Sequence, residues 1–373
     1  MPGGIDSGCL PDLGERSSGD RVAESAQGIG ADELRLATRN HGMPLEALRY
    51  ELTPAGLHYV LIHYDIPDVQ PGWRLEVGGA VRSPLALSLE DLRSRPRTTI
   101  PVTLECAGNG RALLDPRPIS QPWLLEAVGT AEWTGTSLSG LLEEAGPAGG
   151  ALEVLFTGAD RGVEGGEEQD YERSLPLAEA LRPEILVAYE MGGAPLPPQH
   201  GAPVRLIVPG WYGMAHVKWL RKITVLTEPF AGYQQVRGYR MRTDPDEPGE
   251  PVTRLLPRSL MIPPGIPDFM TRTRHVEAGA VVLRGRAWSG LGRITRVDVS
   301  WDGGWGWHEA SLEPPLGEFA WCGWRFEWDA PQGEFELLCR ATDESGAVQP
   351  LHPRWNAGGY QNNAVQRVSV VVR

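Results

Sequence analysis

Glycine and proline interrupt this chain too often for long helices to form. It carries 46 Gly and 33 Pro in 373 residues and shows no sustained heptad pattern. Punctuation of that density permits many short strands joined by turns rather than a helix bundle. From residue 276 onward the text is wholly β, with strands predicted over 281–288, 295–301, 320–328, 334–342 and 365–372. Turns such as Asp302-Gly-Gly304 and Asp343-Glu-Ser-Gly346 separate some of them. A spacing of roughly 10–15 residues predicts an immunoglobulin-like β-sandwich.

Upstream the pattern is mixed. Strands are predicted at 59–63, 73–77, 185–191 and 204–208, and short helices at 138–145 and 175–181. Ser88 with Asp91 three residues on reads as a helix start. Residues 229–267, rich in Pro, Arg and Asp, read as an interdomain arm. The expected fold class is therefore α+β and β-rich. A loose extension (1–30) precedes a mixed domain (31–245), and the sandwich (246–373) follows. A length of 373 residues suits two domains.

Charge and cysteine usage narrow the function. A net charge of −13 argues against a nucleic-acid surface, yet leaves room for a local cationic pocket that captures an anion. No apolar run approaches the roughly 20 residues needed to cross a bilayer, so no membrane partner is expected. The polar N-terminus lacks an export signal, which predicts a cytoplasmic protein, or a periplasmic one if a leader has been trimmed. Of the four cysteines, none forms a CxxC pair, so a thiol-built zinc site is not expected. Pairing of Cys322 with Cys339 is left open.

Two stretches carry chemistry. Residues 102–111 run from apolar, β-branched positions into Cys106 and a glycine-broken turn with Asn109 and Arg111. A guanidinium near a thiol favours the thiolate, the form that binds metal; the competing reading is a buried, inert cysteine. Around the buried-type strand 204–208 stand His200, Arg205, His216 and Lys218. Four nitrogen-bearing side chains there are costly unless they meet an anion. Gly210 and Gly213 would let backbone amides approach it. Neither a GxGxxG after a strand nor Walker-A spacing occurs, so the common nucleotide modes are excluded. Weaker candidates are the turn with Arg39, Asn40 and His41, the carboxylate of Asp160, the phenol of Tyr239 and the ring of Trp123. Taken alone, the 39–41 turn and Tyr239 are equally open to a plain surface role, Asp160 reads first as a turn residue and Trp123 first as core.

Taken together these segments resemble the sulfite oxidase family of molybdenum-pterin enzymes. The RNH stretch (39–41), Cys-Ala-Gly-Asn (106–109), Ala-Glu-Trp-Thr-Gly (131–135), Ala-Tyr-Glu-Met (188–191), HGxPxR (200–205) and HVKWL (216–220) occur in the family's order. A further match, SGxGRxxRVDVSxDGG (289–304), lies in the β-region and resembles the family's dimerisation domain. The resemblance implies a molybdopterin-binding catalytic domain over 31–245 and a possible homodimer. It implies that Cys106 ligates molybdenum, which fits a soft sulfur on a redox-active metal. It implies that Asn40, His41, Asp160, His200, Arg205, His216 and Lys218 hold the pterin and its phosphate. Arg39, Trp123, Tyr239 and Arg293 match the family's substrate-pocket residues. The implied reaction is oxygen-atom transfer, most simply sulfite to sulfate, with the protein holding the oxyanion and the metal doing the hard step.

There are departures. Animal and plant members contact sulfite through an arginine in a WNxRG stretch, whereas this chain reads Trp355-Asn-Ala-Gly-Gly-Tyr360, with Gly358 in its place. HPGG and CxxCH are absent, so no haem module is expected, nor a flavin or NADH module; electrons would pass to a separate acceptor such as a cytochrome or oxygen. Two alternatives stand beside sulfite oxidation. One is a reductase of an S-oxide or similar oxyanion on the same cofactor. The other is a non-enzymatic two-domain β protein that binds an anion or sugar.

Overall fold

The computed structural model describes residues 21–24, 27–244 and 246–373. Most of the proposed N-terminal extension, with Cys9, lies outside these residues. The part that is described pairs with the body: Val22 bridges Pro118, and Ala23 is buried.

Helices are short and locally encoded. α1 (Ala31–Arg39) is capped by the Glu33 carboxylate, which accepts the Gly30 N–H at 2.9 Å. α2 (Leu89–Arg93) begins as read, Ser88 Oγ accepting the Asp91 N–H at 3.1 Å and Asp91 accepting the Ser88 N–H at 2.8 Å. α3 (Leu138–Ala145) buries Leu138, Leu141, Leu142 and Ala145 on one stripe, the spacing of an amphipathic helix.

Ten strands build the first domain: β1 (Leu75–Gly79), β2 (Leu85–Leu87), β3 (Thr98–Glu105), β4 (Val128–Ser137), β5 (Glu153–Glu164), β6 (Glu167–Pro176), β7 (Leu186–Met191), β8 (Ala194–Pro195), β9 (Arg205–Ile207) and β10 (Leu220–Leu226). One sheet runs β2-β1-β10-β5-β6, with β1 and β10 parallel and the rest antiparallel. The other runs β3-β4-β7-β8, with β9 beside β7. β7 is buried on both faces, as its near-continuous apolar text requires. The main core gathers Val77, Phe156, Leu206 and Ile223 from the strands with Leu141 and Leu142 of α3.

The C-terminal region is a β-sandwich. A four-stranded sheet joins Arg258–Met261, Gly279–Trp288, Cys322–Ala330 and Ser311–Leu312. A six-stranded sheet contains Arg274–Val276, Gln366–Val372, Gly333–Asp343 and Ile294–Ser300. Residues from both inner faces, Leu283, Trp324 and Trp328 against Val299, Leu337 and Val370, fill one core. Cys322 and Cys339 belong to opposite sheets and are free, buried thiols; burial pushes them up to about 11 and about 12.

Two sequence expectations change. Residues 59–63 form no strand and make only the His41–Val60 bridge. Residues 229–267 are not a free arm: Val252, Leu255 and Leu260 sit in the main core. Apolar side chains spaced among prolines still find a groove to fill, which no periodicity reveals.

Candidate active site

β3 passes from half-buried at Thr98 to fully buried at Glu105 and delivers Cys106 to a turn. Gly110 closes that turn at φ +90°, a conformation that favours glycine. The Cys106 N–H donates to the Ala127 carbonyl at 2.9 Å, and its side chain packs with Trp123 and Ala127. Glu105, directly before it, is anchored on three sides. It is ion-paired with Arg258, and it accepts from Trp288 Nε1 at 2.8 Å and Asn109 Nδ2 at 3.0 Å.

Cys106 opens onto a cleft walled by Tyr59, His63, Asp160, Tyr171, His200, Arg205, His216, Lys218 and Tyr239. Burial raises the thiol pKa, and the Arg111 guanidinium only opposes it. Arg111 favours the thiolate as expected, but in the protein alone desolvation outweighs that one cation. Arg111 is itself engaged: Nε donates to the Gly358 carbonyl at 3.0 Å, and the guanidinium lies 5.2 Å from the Tyr360 ring centroid.

The cationic wall is built on β9 and the loop after it. Arg205 donates to the His200 and His216 carbonyls at 3.0 and 3.2 Å and stacks 4.8 Å from the Trp133 centroid. His216 accepts the Val208 N–H at Nδ1 (3.1 Å), so Nε2 carries the proton and donates to the Trp211 carbonyl at 3.1 Å. Both its nitrogens serve the fold. Lys218 donates to the Leu61 carbonyl at 2.6 Å. Burial pushes Asp160 up and Lys218 down, each opposing the other's shift. It also pushes His58 down to about 4, His200 to about 2 and His216 to about 3, so all three are neutral near pH 7.

Tyr239 stands in the left-handed region at φ +53°, a strain that holds its phenol at the cleft, 3.5 Å from His63 Nε2. Desolvation holds that phenol protonated, well above the ordinary tyrosine value.

Other sequence candidates lie away from the cleft lining. Asn40 is buried but spends its amide on the Leu36 carbonyl, Gln121 and the Ile62 N–H, at 3.0, 3.0 and 2.7 Å. His41 and Arg39 are exposed; Arg39 donates to the Tyr64 carbonyl at 2.7 Å. Arg293 is exposed on the sandwich, in a separate groove with Trp288 and Pro314. Trp123 backs Cys106 from the core. Sequence reasoning missed His58, Tyr59, His63 and Tyr171, which line the cleft, and Arg173, which lies against the Tyr239 ring. Tyr59 and His63 stand in a segment read as strand, with His58 directly before it; Tyr171 and Arg173 stand in an acidic hairpin whose text suggests only a solvated edge.

Fold and site define a molybdopterin-type oxidoreductase domain joined to a sandwich domain. A family model described as "Oxidoreductase molybdopterin binding domain" matches residues 63–234, and "Mo-co oxidoreductase dimerisation domain" matches 258–373. The mitochondrial sulfite oxidase of Rattus norvegicus is 39% identical over 341 residues, 86% of this chain and 62% of that one. The Gallus gallus sulfite oxidase is 37% identical over 336 residues, 85% and 72% respectively. An NADH nitrate reductase of Solanum lycopersicum is 33% identical over 365 residues, 89% and 40%. Among solved structures, the sulfane dehydrogenase SoxCD from Paracoccus pantotrophus aligns with TM-score 0.78 and 26% identity, over 100% of this chain and 95% of that one. The chain thus spans less than two thirds of the rat enzyme's length. It belongs to the sulfite oxidase family.

The family implies a molybdenum-pterin cofactor, and the cleft suits one. His58 Nε2, Asp160 Oδ1, His200 Nε2 and Arg205 Nε are buried with no partner. Buried polar atoms demand partners, and this set offers an acceptor, imidazoles and a cation to a polar, anionic ligand. Gly213 keeps the cleft open, since a Cβ there would stand 2.5 Å from Tyr59 Oη. Among the described residues no group of three or more His, Cys, Asp or Glu could hold a metal ion by itself.

Proposed function

We propose that the chain oxidises sulfite to sulfate by oxygen-atom transfer and hands the electrons to a separate acceptor, a cytochrome or oxygen. The observation that carries this reading is one thiol, Cys106, opening onto a cleft whose buried guanidinium and orphaned nitrogens await an anionic ligand. In this reading Cys106 would ligate molybdenum, and its soft sulfur suits that metal. Asp160, His200, Arg205 and Lys218 hold the pterin and its phosphate. His216 walls the same cleft and orders the 208–216 loop, while Asn40 and His41 shape the 60–63 segment from behind.

The bound cofactor supplies the transferable oxygen and accepts two electrons. The chain's own part is binding and orientation. Tyr239, kept protonated by burial, donates a hydrogen bond to the oxyanion. Trp123 and Tyr59 exclude water behind the thiol. The net reaction, sulfite plus water giving sulfate, two protons and two electrons, requires an acceptor. Two copies pair through the sandwich domain.

The test is molybdenum analysis, at about one metal per chain, with sulfite-dependent reduction of cytochrome c or ferricyanide and sulfate formation. The nitrate reductase relative favours one competing reading, reduction of an oxyanion on the same cofactor. Molybdenum-loaded protein that reduces nitrate or an S-oxide and ignores sulfite would replace the proposal with it.

A further inference from the structure

Arg173 is a buried cation with no ion-pair partner among the described residues. It stands on β6, 4% exposed. Nη1 donates to the Gln234 carbonyl, and Nε has no partner. Its guanidinium lies 5.5 Å from the Tyr239 ring centroid, and Tyr239 packs on Tyr360 with centroids 5.1 Å apart. Tyr171, two residues back on the same strand face, walls the cleft together with Tyr239.

The groups that act most strongly on Arg173 are these three phenols and Arg240; among the described residues it forms no ion pair, the nearby Glu164 carboxylate accepting instead from Gln234 Nε2 at 2.6 Å. Burial keeps the phenols protonated, so none supplies negative charge. A buried cation left this way is costly, and an anion entering the tyrosine end of the cleft removes the cost. Position 358 offers no alternative cation. A Cβ on Gly358 would lie 2.2 Å from the Tyr360 ring, so the ring fills the space a side chain would need.

We propose that Arg173 binds the substrate oxyanion, reaching it from β6 beside Tyr171 and Tyr239. The assignment rests on the sulfite reading above and adds the residue that recognises the charge.

The experiment compares wild type, Arg173→Met and Arg173→Lys in two forms. In the cofactor-loaded enzyme, Arg173→Met is expected to raise the sulfite KM about 10- to 100-fold, the loss of one charged hydrogen-bonding partner. Its kcat should change far less and its molybdenum content not at all; Arg173→Lys should recover part of the loss. In the cofactor-free chain, sulfate is expected to raise the Tm of wild type over chloride at matched ionic strength, and not that of Arg173→Met. An unchanged KM in a molybdenum-replete Arg173→Met enzyme would overturn the proposal. So would depleted molybdenum with the sulfate shift intact, which would assign Arg173 to the cofactor. If wild type ignores sulfite yet shows a sulfate shift that Arg173→Met lacks, the substrate reading fails and the anion site stands. Should Arg173→Met not fold, Arg173→Lys decides by its KM alone, an unchanged value refuting the assignment.

Discussion

Replacing Arg258 with methionine tests how firmly the Cys106 turn is anchored to the second domain. Arg258 and Glu105 expose only 1% and 2% of their side chains. Arg258 also donates to the Asn362 carbonyl. Methionine fills the aliphatic space but leaves the Glu105 carboxylate in the interior, facing only Trp288 and Asn109. Breaking a buried pair from one side typically costs about 3–5 kcal/mol, because the surviving charge is uncompensated. Adding Glu105→Gln removes that charge, so the double variant should regain at least about 2 kcal/mol. Urea unfolding of all four proteins, followed by tryptophan fluorescence, measures both quantities. A single-variant loss below about 1 kcal/mol, or strict additivity of the two changes, would refute the argument that the pair is a coupled anchor.

Cys106→Ser should abolish turnover and leave the Tm nearly unchanged, since the thiol adds little packing beyond a hydroxyl's volume; full activity would end its assignment as the metal ligand. Gly213→Val should lower bound molybdenum by forcing Tyr59 into the cleft, and normal metal content would show that the loop has room. Stability of the cofactor-free chain should fall on acidification. The native values of His58, His200 and His216 lie far below the unfolded value of about 6.5, so the unfolded chain binds more protons as pH drops below it. Asp160, shifted upward, takes back one proton in the native state. The excess of roughly two protons predicts a loss of about 3 kcal/mol per pH unit between about pH 6 and 4.5; urea midpoints that stay level from pH 7 to 5 would contradict it.

Local signals were read reliably. The Ser88–Asp91 start, the α3 stripe and the period-two pattern that buries Val368, Val370 and Val372 all reflect neighbours within a few residues. His200, Arg205, His216 and Lys218 were legible as one group because a single strand and loop carry them. Tyr59–His63 misled, since an apolar run that lines a cavity looks like one that pairs in a sheet. Arg39 and Arg293, named from the family resemblance, lie exposed and outside the residues that wall the cleft, since a guanidinium looks the same in text whether it faces a cleft or water. Arg173 went unnoticed inside Glu-Glu-Gln-Asp-Tyr-Glu-Arg, where acidic neighbours suggest a solvated hairpin.

Residue order alone was enough for the β-rich architecture, the strand that presents Cys106 and the concentration of cations after it, because these follow from backbone propensity and short-range periodicity. Which cations are free to meet a ligand emerged only on folding. His216 spends both ring nitrogens on the backbone of its own loop and Asn40 bonds as far away as Ile62 and Gln121, while Arg205 and Arg173 keep a nitrogen unclaimed. That allocation depends on carbonyls, rings and carboxylates far apart in the chain, and on a burial that no local window contains.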